Sequence, residues 1–402
     1  MHKALATRSG YLPGDPGYRR LSIALFAAGL ATFALLYSTQ ALLPDLVEAY
    51  GVSPSQSAFS VSFATFGLAI ALLIAGPLSE RYGRTVLMRW SVAGSAFFAI
   101  LVAVAPTWHT LLAARGLQGV AMAGLPAVAM AYLREEVHES SHARASGLYI
   151  AGTGVGGMAG RLIAGGLADL GGWRLASGGI AALGVLCTVV VWLLLPDSRN
   201  FHATSPTVQT GRVLRDPALL ALYGVAATVV GAFVAVYNGA VFRLSDSPYD
   251  LGAGPIGLLF SVYLFGSASS AAAGRLADRY GRRSVVPVGC LVRVAGVAIT
   301  LAAPLPLIVI GLAVMTAGFF AVHGVAGGWV AVRAHAGGGG TGQAASIYLF
   351  SFYVGSSVFG GLAGTAWSRA GWSGVALEAG VLFAVAVVLA LLLRNIPSKM
   401  QN

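Results

Sequence analysis

Three arginines, Arg115, Arg161 and Arg293, stand inside long apolar stretches of the chain. A guanidinium there is costly unless a carboxylate, a carbonyl, water or an anionic ligand meets it. Gln118 follows Arg115 by one turn, and Gln40 falls at a similar level on an earlier stretch. At about 1.5 Å per residue, Arg115 and Arg161 lie at one depth, roughly 10 Å inside the end of their stretches. The nearest acids by this reckoning are Asp45, Glu48 and Asp169. One reading is therefore a fixed ion pair such as Asp45 with Arg161, and the other is a pair of guanidiniums that holds a ligand. His323 has the ordinary pKa suited to taking up and releasing a proton, the alternative being a packed histidine bonded to a carbonyl. Glu378 lies near the end of its stretch, and Arg293 is expected to snorkel.

These residues do not assemble into catalytic machinery, and no nucleophile, base and orienting group converge. His138 and His142 beside Glu135 and Glu136 imitate a metal spacing, but a solvated polar loop explains them. Cys187 and Cys290 sit singly in apolar stretches and read as small buried hydrophobes. Gly337 to Gly340 lacks the Lys-Ser/Thr that completes a phosphate loop. Gly152, Gly154 and Gly157 match a dinucleotide fingerprint, yet no strand precedes them. The expectation is no metal, no cofactor and no enzyme. Gly152, Gly156 and Gly160, followed by Ala164, instead leave one helix face nearly bare for a neighbouring helix.

The elements that carry these residues follow from composition. Of 402 residues 57% are hydrophobic and only 10% charged, with mean hydropathy +0.78, which leaves too little polar surface for a water-soluble fold. Roughly 20 apolar residues cross a bilayer. That ruler predicts six spans per half: 21–43, 57–78, 86–105, 108–133, 143–167 and 174–195, then 217–240, 255–274, 285–303, 306–331, 343–366 and 374–394. The first stretch lacks a cleavage pattern and is expected to remain as a span. The net charge of +11 resides mostly in segments on one side, among them Arg19, Arg20, Arg81, Arg84, Arg275 and Arg282. By the positive-inside rule both termini and the central linker are expected in the cytoplasm. The basic balance then reports topology and anionic lipid rather than nucleic acid.

The chain also repeats itself. Gly76-Pro-Leu-Ser-Glu-Arg-Tyr-Gly-Arg84 returns as Gly274-Arg-Leu-Ala-Asp-Arg-Tyr-Gly-Arg282, Phe59-Ser60-Val61 as Phe260-Ser261-Val262, and Gly172-Trp173 as Gly371-Trp372. A parallel repeat of this size sets two bundles about an axis normal to the membrane, with a path between them. On these residues the chain resembles the major facilitator superfamily over nearly its whole length. Arg115-Gly-Leu-Gln118-Gly119 and Gly156-Gly-Met-Ala-Gly-Arg161 add a resemblance to the acriflavine-sensitivity (YnfM-like) exporters among its 12-span drug:proton antiporter relatives.

The resemblance implies an all-α membrane protein of 12 transmembrane helices in two six-helix pseudo-repeats. The expected divisions are a tail at 1–20, bundles at 21–195 and 217–394, a linker at 196–216 and a tail at 395–402. It implies a conformational latch at Gly76, Glu80, Arg84, Gly274, Asp278 and Arg282, in which each acid meets a helix end of the opposite half. Gln40, Asp45, Arg115, Gln118, Arg161 and His323 are the coupling or substrate candidates, with Gln118 orienting Arg115. Tyr37, Tyr149, Tyr237, Asn238, Tyr263 and Tyr348 fall on spans that line the cavity in the family. Two departures bear on coupling: Gln40, which cannot titrate, stands a turn before Pro44 where many such antiporters carry an acid, and the fifth span lacks their usual Gly-Pro pair.

The expected activity is alternating-access transport in a bacterial inner membrane, as proton-coupled efflux of small amphipathic compounds by a monomer. An organic-anion or metabolite carrier is the alternative within transport. A membrane sensor on the same fold is the alternative of another class.

Overall fold

The computed structural model describes residues 10–201 and 210–396, nearly all of them helical. Residues 1–9 and 397–402, from the two expected tails, and 202–209, from the expected linker, lie outside the described residues.

Nine described segments are long and apolar enough to cross a membrane. Two of them, Glu139–Leu194 and Thr341–Asn395, would far exceed a bilayer if straight. Each instead folds back on itself, at Gly171 and Gly172 in one and at Ala370 and Gly371 in the other. Gly172 and Gly371 take positive φ (74° and 55°), a conformation that favours glycine, which accounts for the repeated Gly-Trp pairs. With the less apolar helix Arg282–Ile299, which carries three arginines, the crossings number twelve.

In order the spans are Pro16–Tyr50, Pro54–Tyr82, Arg84–Ala103, Trp108–Glu136 and the two arms of the first bent helix. Then come Pro217–Ser245, Ala253–Tyr280, Arg282–Ile299, Leu305–Ala336 and the two arms of the second. Local signals set several starts: Ser53 and Thr107 form capping boxes, and the Asp216 carboxylate accepts from the Ala218 N–H. The first helix begins at Pro16, earlier than the hydropathy ruler gives, because proline suits a first turn. Within the expected tail, Tyr11 pairs with the strand-like residue Val137, donating to Glu136 O and accepting from His138 N.

One end of the bundle carries the duplicated loops and the described linker residues, and it is the basic end. At the far end the halves close on each other. Ser55 Oγ and Thr365 Oγ1 lie 2.7 Å apart, Ser62 and Ser357 exchange hydroxyl-to-carbonyl bonds of 2.8 Å, and the Gly254 N–H donates to Asp169 at 3.0 Å. At the basic end a Cβ built on Gly76 or Gly274 would meet nothing within 4 Å. The path between the halves is thus shut at the far end, whereas at the basic end the two loop glycines stand clear of the opposite half.

The fifth-span glycines do what their spacing predicts. Cβ atoms at Gly152, Gly156 and Gly160 would fall 2.4 Å from Phe26 O, 2.2 Å from Leu30 O and 2.6 Å from Ala34 Cα, so the first and fifth spans touch backbone to backbone. Gly154, on another face, has open space. Gly156→Ala is therefore expected to destabilise by about 1–3 kcal/mol, read as a lower thermal midpoint in detergent, whereas Gly154→Ala should leave that midpoint within a degree or two.

Arg293 does not snorkel. It is fully buried, its guanidinium 4.3 Å from the Phe383 ring centroid, with Nη2 donating to Val229 O at 2.5 Å and with Nε and Nη1 unpartnered. Val229 of Pro217–Ser245 and Phe383 of Thr341–Asn395 pack around it where snorkelling would have carried it to the membrane surface. Replacing an uncompensated buried charge by an apolar group of similar length is often stabilising, by about 1–4 kcal/mol. Arg293→Met should accordingly raise the thermal midpoint; a fall of several degrees would show that the charge is compensated.

Candidate functional site

The first span loses its α-helical ladder in mid-membrane. A 3₁₀ turn occupies Ser38–Leu42, and Pro44 has no N–H to offer the carbonyl of Gln40. Arg115 reaches this break from the fourth span. Its Nη1 donates to Leu35 O at 2.8 Å and to Gln118 Oε1 at 2.6 Å, Nη2 donates to Leu36 O, and Nε donates to Ser60 O at 2.7 Å on the second span. Gln118 Nε2 donates in turn to Ser95 O on the third span. Gln118 thus orients Arg115, as expected. The arginine is 1% exposed and committed to carbonyls, so in this conformation it fastens the broken turn rather than facing a ligand.

Beyond the break a polar seam crosses from one half to the other. Arg161 Nε donates to Gln40 Oε1 at 2.7 Å, Gln40 Nε2 donates to Asn238 Oδ1 at 2.7 Å, and Asn238 Nδ2 donates to Gly360 O at 2.8 Å. Gln40 and Asn238 are both completely buried and stand 198 residues apart, within the range of 198 to 201 that separates the repeats, so they occupy corresponding spans of the two halves. A guanidinium only donates and a carbonyl only accepts, so the two ends of the seam fix the orientation of both amides between them.

Among the described residues Arg161 is not paired with Asp45, and no carboxylate joins the seam. Asp45 lies partly buried without an ion pair, and Asp169 is engaged by Gly254. The Arg161 guanidinium instead stands 4.6 Å from the ring centroids of Tyr37 and Phe260 and 5.1 Å from that of Tyr263, while Nη1 donates to Gly157 O. Nη2 makes no hydrogen bond among the described residues.

From this cation an aromatic wall runs into the second half. Tyr237 stacks on Phe260 at 5.0 Å and shares a 2.7 Å hydrogen bond with Thr316; Phe233 stacks on Phe319 at 4.0 Å; Phe319 stacks on His323 at 5.8 Å. His323 Nδ1 and Tyr348 Oη lie 3.0 Å apart. The site therefore joins Tyr37, Gln40, Arg161, Tyr237, Asn238, Tyr263, His323 and Tyr348. Tyr149 packs in the apolar cluster at the basic end of the first half with Tyr18 and Tyr132, and also lies near Tyr353 of the second half. Phe233, Phe260, Phe319 and Phe352 were not among the candidate residues. Their only sequence signal is helical spacing, such as Phe233 with Tyr237 and Phe319 with His323, which ordinary packing also gives.

The two loop copies differ in charge. Arg84 bonds Glu80 at 2.5 Å and Glu135 at 3.0 Å, and also donates to Ser79 Oγ, so the first acid is held within its own half in this conformation. Asp278 is exposed, and neither it nor Arg282 forms an ion pair among the described residues. The position 198 residues beyond Glu135 is Arg333, which is turned to Asp216 at 3.0 Å.

Two pseudo-equivalent six-helix halves, a polar seam between them and a path shut at one end are the architecture of a membrane transporter. The Major Facilitator Superfamily model matches residues 21–262 and 245–402, and the chain belongs to that superfamily. It is similar to the inner membrane transport protein YnfM of Escherichia coli (strain K12), at 40% identity over 384 residues, 94% of this chain and 90% of that one. It is similar also to YybF of Bacillus subtilis (strain 168), an uncharacterized MFS-type transporter, at 38% over 370 residues and 90% of each chain. Among solved structures, a bacterial homolog of the human lysosomal transporter Spinster, in an inward-facing and occupied conformation, shares the fold: TM-score 0.75, 16% identity, 96% of this chain and 98% of that one. The protein is thus a multi-pass membrane transporter of the major facilitator fold.

Arg115→Lys is expected to lower stability by about 2–4 kcal/mol, since one ammonium cannot span carbonyls on two helices and an amide as the planar fork does. Thermal unfolding of the purified variant measures this. A midpoint equal to that of the parent would remove the clamp role.

Proposed function

We propose that the protein carries small amphipathic organic molecules with an anionic or carbonyl group, by rocking of its two halves about the Gln40 and Asn238 contact. The observation that carries this reading is Arg161: a buried cation with a free Nη2, ringed by Tyr37, Phe260 and Tyr263 and without a carboxylate. Aromatic walls with few polar handles suit an amphipathic ligand, and the unneutralised guanidinium favours a negative or electron-rich group on it. This reading favours the organic-anion alternative over a carrier of cationic compounds. In the orientation set by the positive-inside rule, both termini and the basic end face the cytoplasm. The resemblance supports export and a monomer.

Coupling to protons is a second reading, favoured by His323, which sits in the aromatic wall against Tyr348 and is the histidine of the site. In the same scheme Gly76 and Gly274 meet the opposite half only when the basic end closes, with Glu80 and Arg84, and Asp278 and Arg282, supplying the charges of the latch.

Liposomes with a trapped pH dye test both readings against a panel of aromatic anions, neutral analogues and cations. Arg161→Gln should reduce anion flux roughly tenfold, the loss of one charge-assisted hydrogen bond, while sparing the neutral analogue. Equal loss of both would remove the anion assignment. Substrate-dependent alkalinisation or acidification that disappears in His323→Gln would support proton coupling, and flux with no dye response would sink it.

A further inference from the structure

A second cavity lies away from the central path, at the basic end of the first half. It has a volume of about 1130 Å³ and is enclosed by the starts of the first and fifth spans and the end of the sixth. Its walls change character with depth. Arg19, Arg20, Arg144 and Leu194, the last residue of the sixth span, stand at the basic rim, and Ile23 and Leu148 lie one helical turn further along the first and fifth spans.

The side of the bundle on which it opens follows from helical phase. On the fifth span Gly152, Gly156 and Gly160 face the first span and Arg161 faces the seam. Arg144, Leu148 and Ala151 recur at i, i+4 and i+7 on a separate flank. That flank continues into the sixth span, where Leu186 (62% exposed) and Leu193 (67%) present bare apolar surface. In a twelve-span membrane protein such a surface faces acyl chains.

The rim has unspent charge. Arg20 Nη2 donates to Leu193 O at 3.0 Å and so caps the sixth span. The side chains of Arg19 and Arg144 are exposed and make no hydrogen bond or ion pair among the described residues. Asp15 is the acid in the lining, and it does not cap the first helix: its carboxylate accepts from the Leu12 N–H at 2.7 Å instead. The start of a 22-residue helix, its N-cap carboxylate turned away, thus lines the same cavity as three guanidiniums.

We infer that this cavity is a binding site for one anionic phospholipid of the leaflet at the basic end. Its phosphate lies between Arg19, Arg144 and the start of the first helix, and its chains run along Leu148 and Ile23. A soluble phosphate would satisfy the rim but leave the apolar walls uncovered; a zwitterionic lipid would cover the walls but bring a compensating cation to the rim. The lipid, wedged where the first and fifth spans meet, ties the end of the first span that must move when the basic end closes. The inference does not depend on which substrate the central site takes.

Delipidated full-length protein in detergent, given equal phosphatidylglycerol and phosphatidylcholine and followed by native mass spectrometry, tests the site. The expected result is retention of one phosphatidylglycerol in roughly tenfold preference, about the effect of one to two basic side chains near a membrane surface. Arg19→Gln combined with Arg144→Gln should abolish that preference. Arg275→Gln combined with Arg279→Gln, a basic pair at the same end of the second half, should preserve it. An unchanged preference in the first pair, or an equal loss in the second, would overturn the site. Inorganic phosphate at matched ionic strength should not raise the thermal midpoint; protection equal to that of the lipid would overturn the lipid assignment in favour of a free anion.

Discussion

The hydrogen bond between Gln40 and Asn238 is the constraint on which the rest of the arrangement hangs. It joins corresponding spans of the two halves, buried from water, and its orientation is fixed from outside by Arg161 at one end and Gly360 O at the other. An unmade amide bond at this depth would cost several kcal/mol in hydrocarbon surroundings, which makes the contact a natural fulcrum. In the rocking proposed above it is the contact kept, while the hydroxyl contacts around Ser62 and Ser357 are the ones that would break. Those are short hydroxyl bonds, individually modest and readily exchanged for water.

The first span is broken beside that fulcrum for a reason visible in its neighbours. A 3₁₀ turn before Pro44 brings Gln40 to the axis but disturbs the carbonyl ladder, and Arg115 supplies the donors that the helix lacks. One arginine is thereby used for shape and the other, Arg161, is left with a nitrogen to offer. Their equal depth hides a difference in role. Arg115 answers to backbone on the first and second spans, whereas Arg161 answers to a side chain and to rings of both halves.

How much of this was legible in the sequence follows the same division. The duplicated loop, the glycine face of the fifth span and the apolar periods carry side-chain information, and the helices, their order and their close packing follow from them. Gln40 and Asn238 were each singled out, yet for different reasons, although their separation matches that of the loops. What stayed hidden involves atoms that sequence does not distinguish: the carbonyls of Leu35, Leu36, Ser60 and Gly360 are common to every residue. The phenylalanines of the aromatic wall look like any core residue until a cation is seen beside them. The burial of Arg293 is not legible either, because it depends on a small residue of another span, Gly318, which leaves room for the side chain to turn inward.

The direction of the seam also bears on descent. If the chain arose by duplication, the ancestral module would have assembled as a pair of identical copies. Two first halves facing each other would set Gln40 against Gln40 with an arginine at both ends. Each amide oxygen has two lone pairs and each amide nitrogen two N–H groups, so such a pair would still bond across the axis, but it would read the same from either side. The present seam does not: it runs one way, from the Arg161 donor on the first half to the Gly360 carbonyl on the second. Divergence of the halves has given the contact a direction that a pair of identical copies lacks.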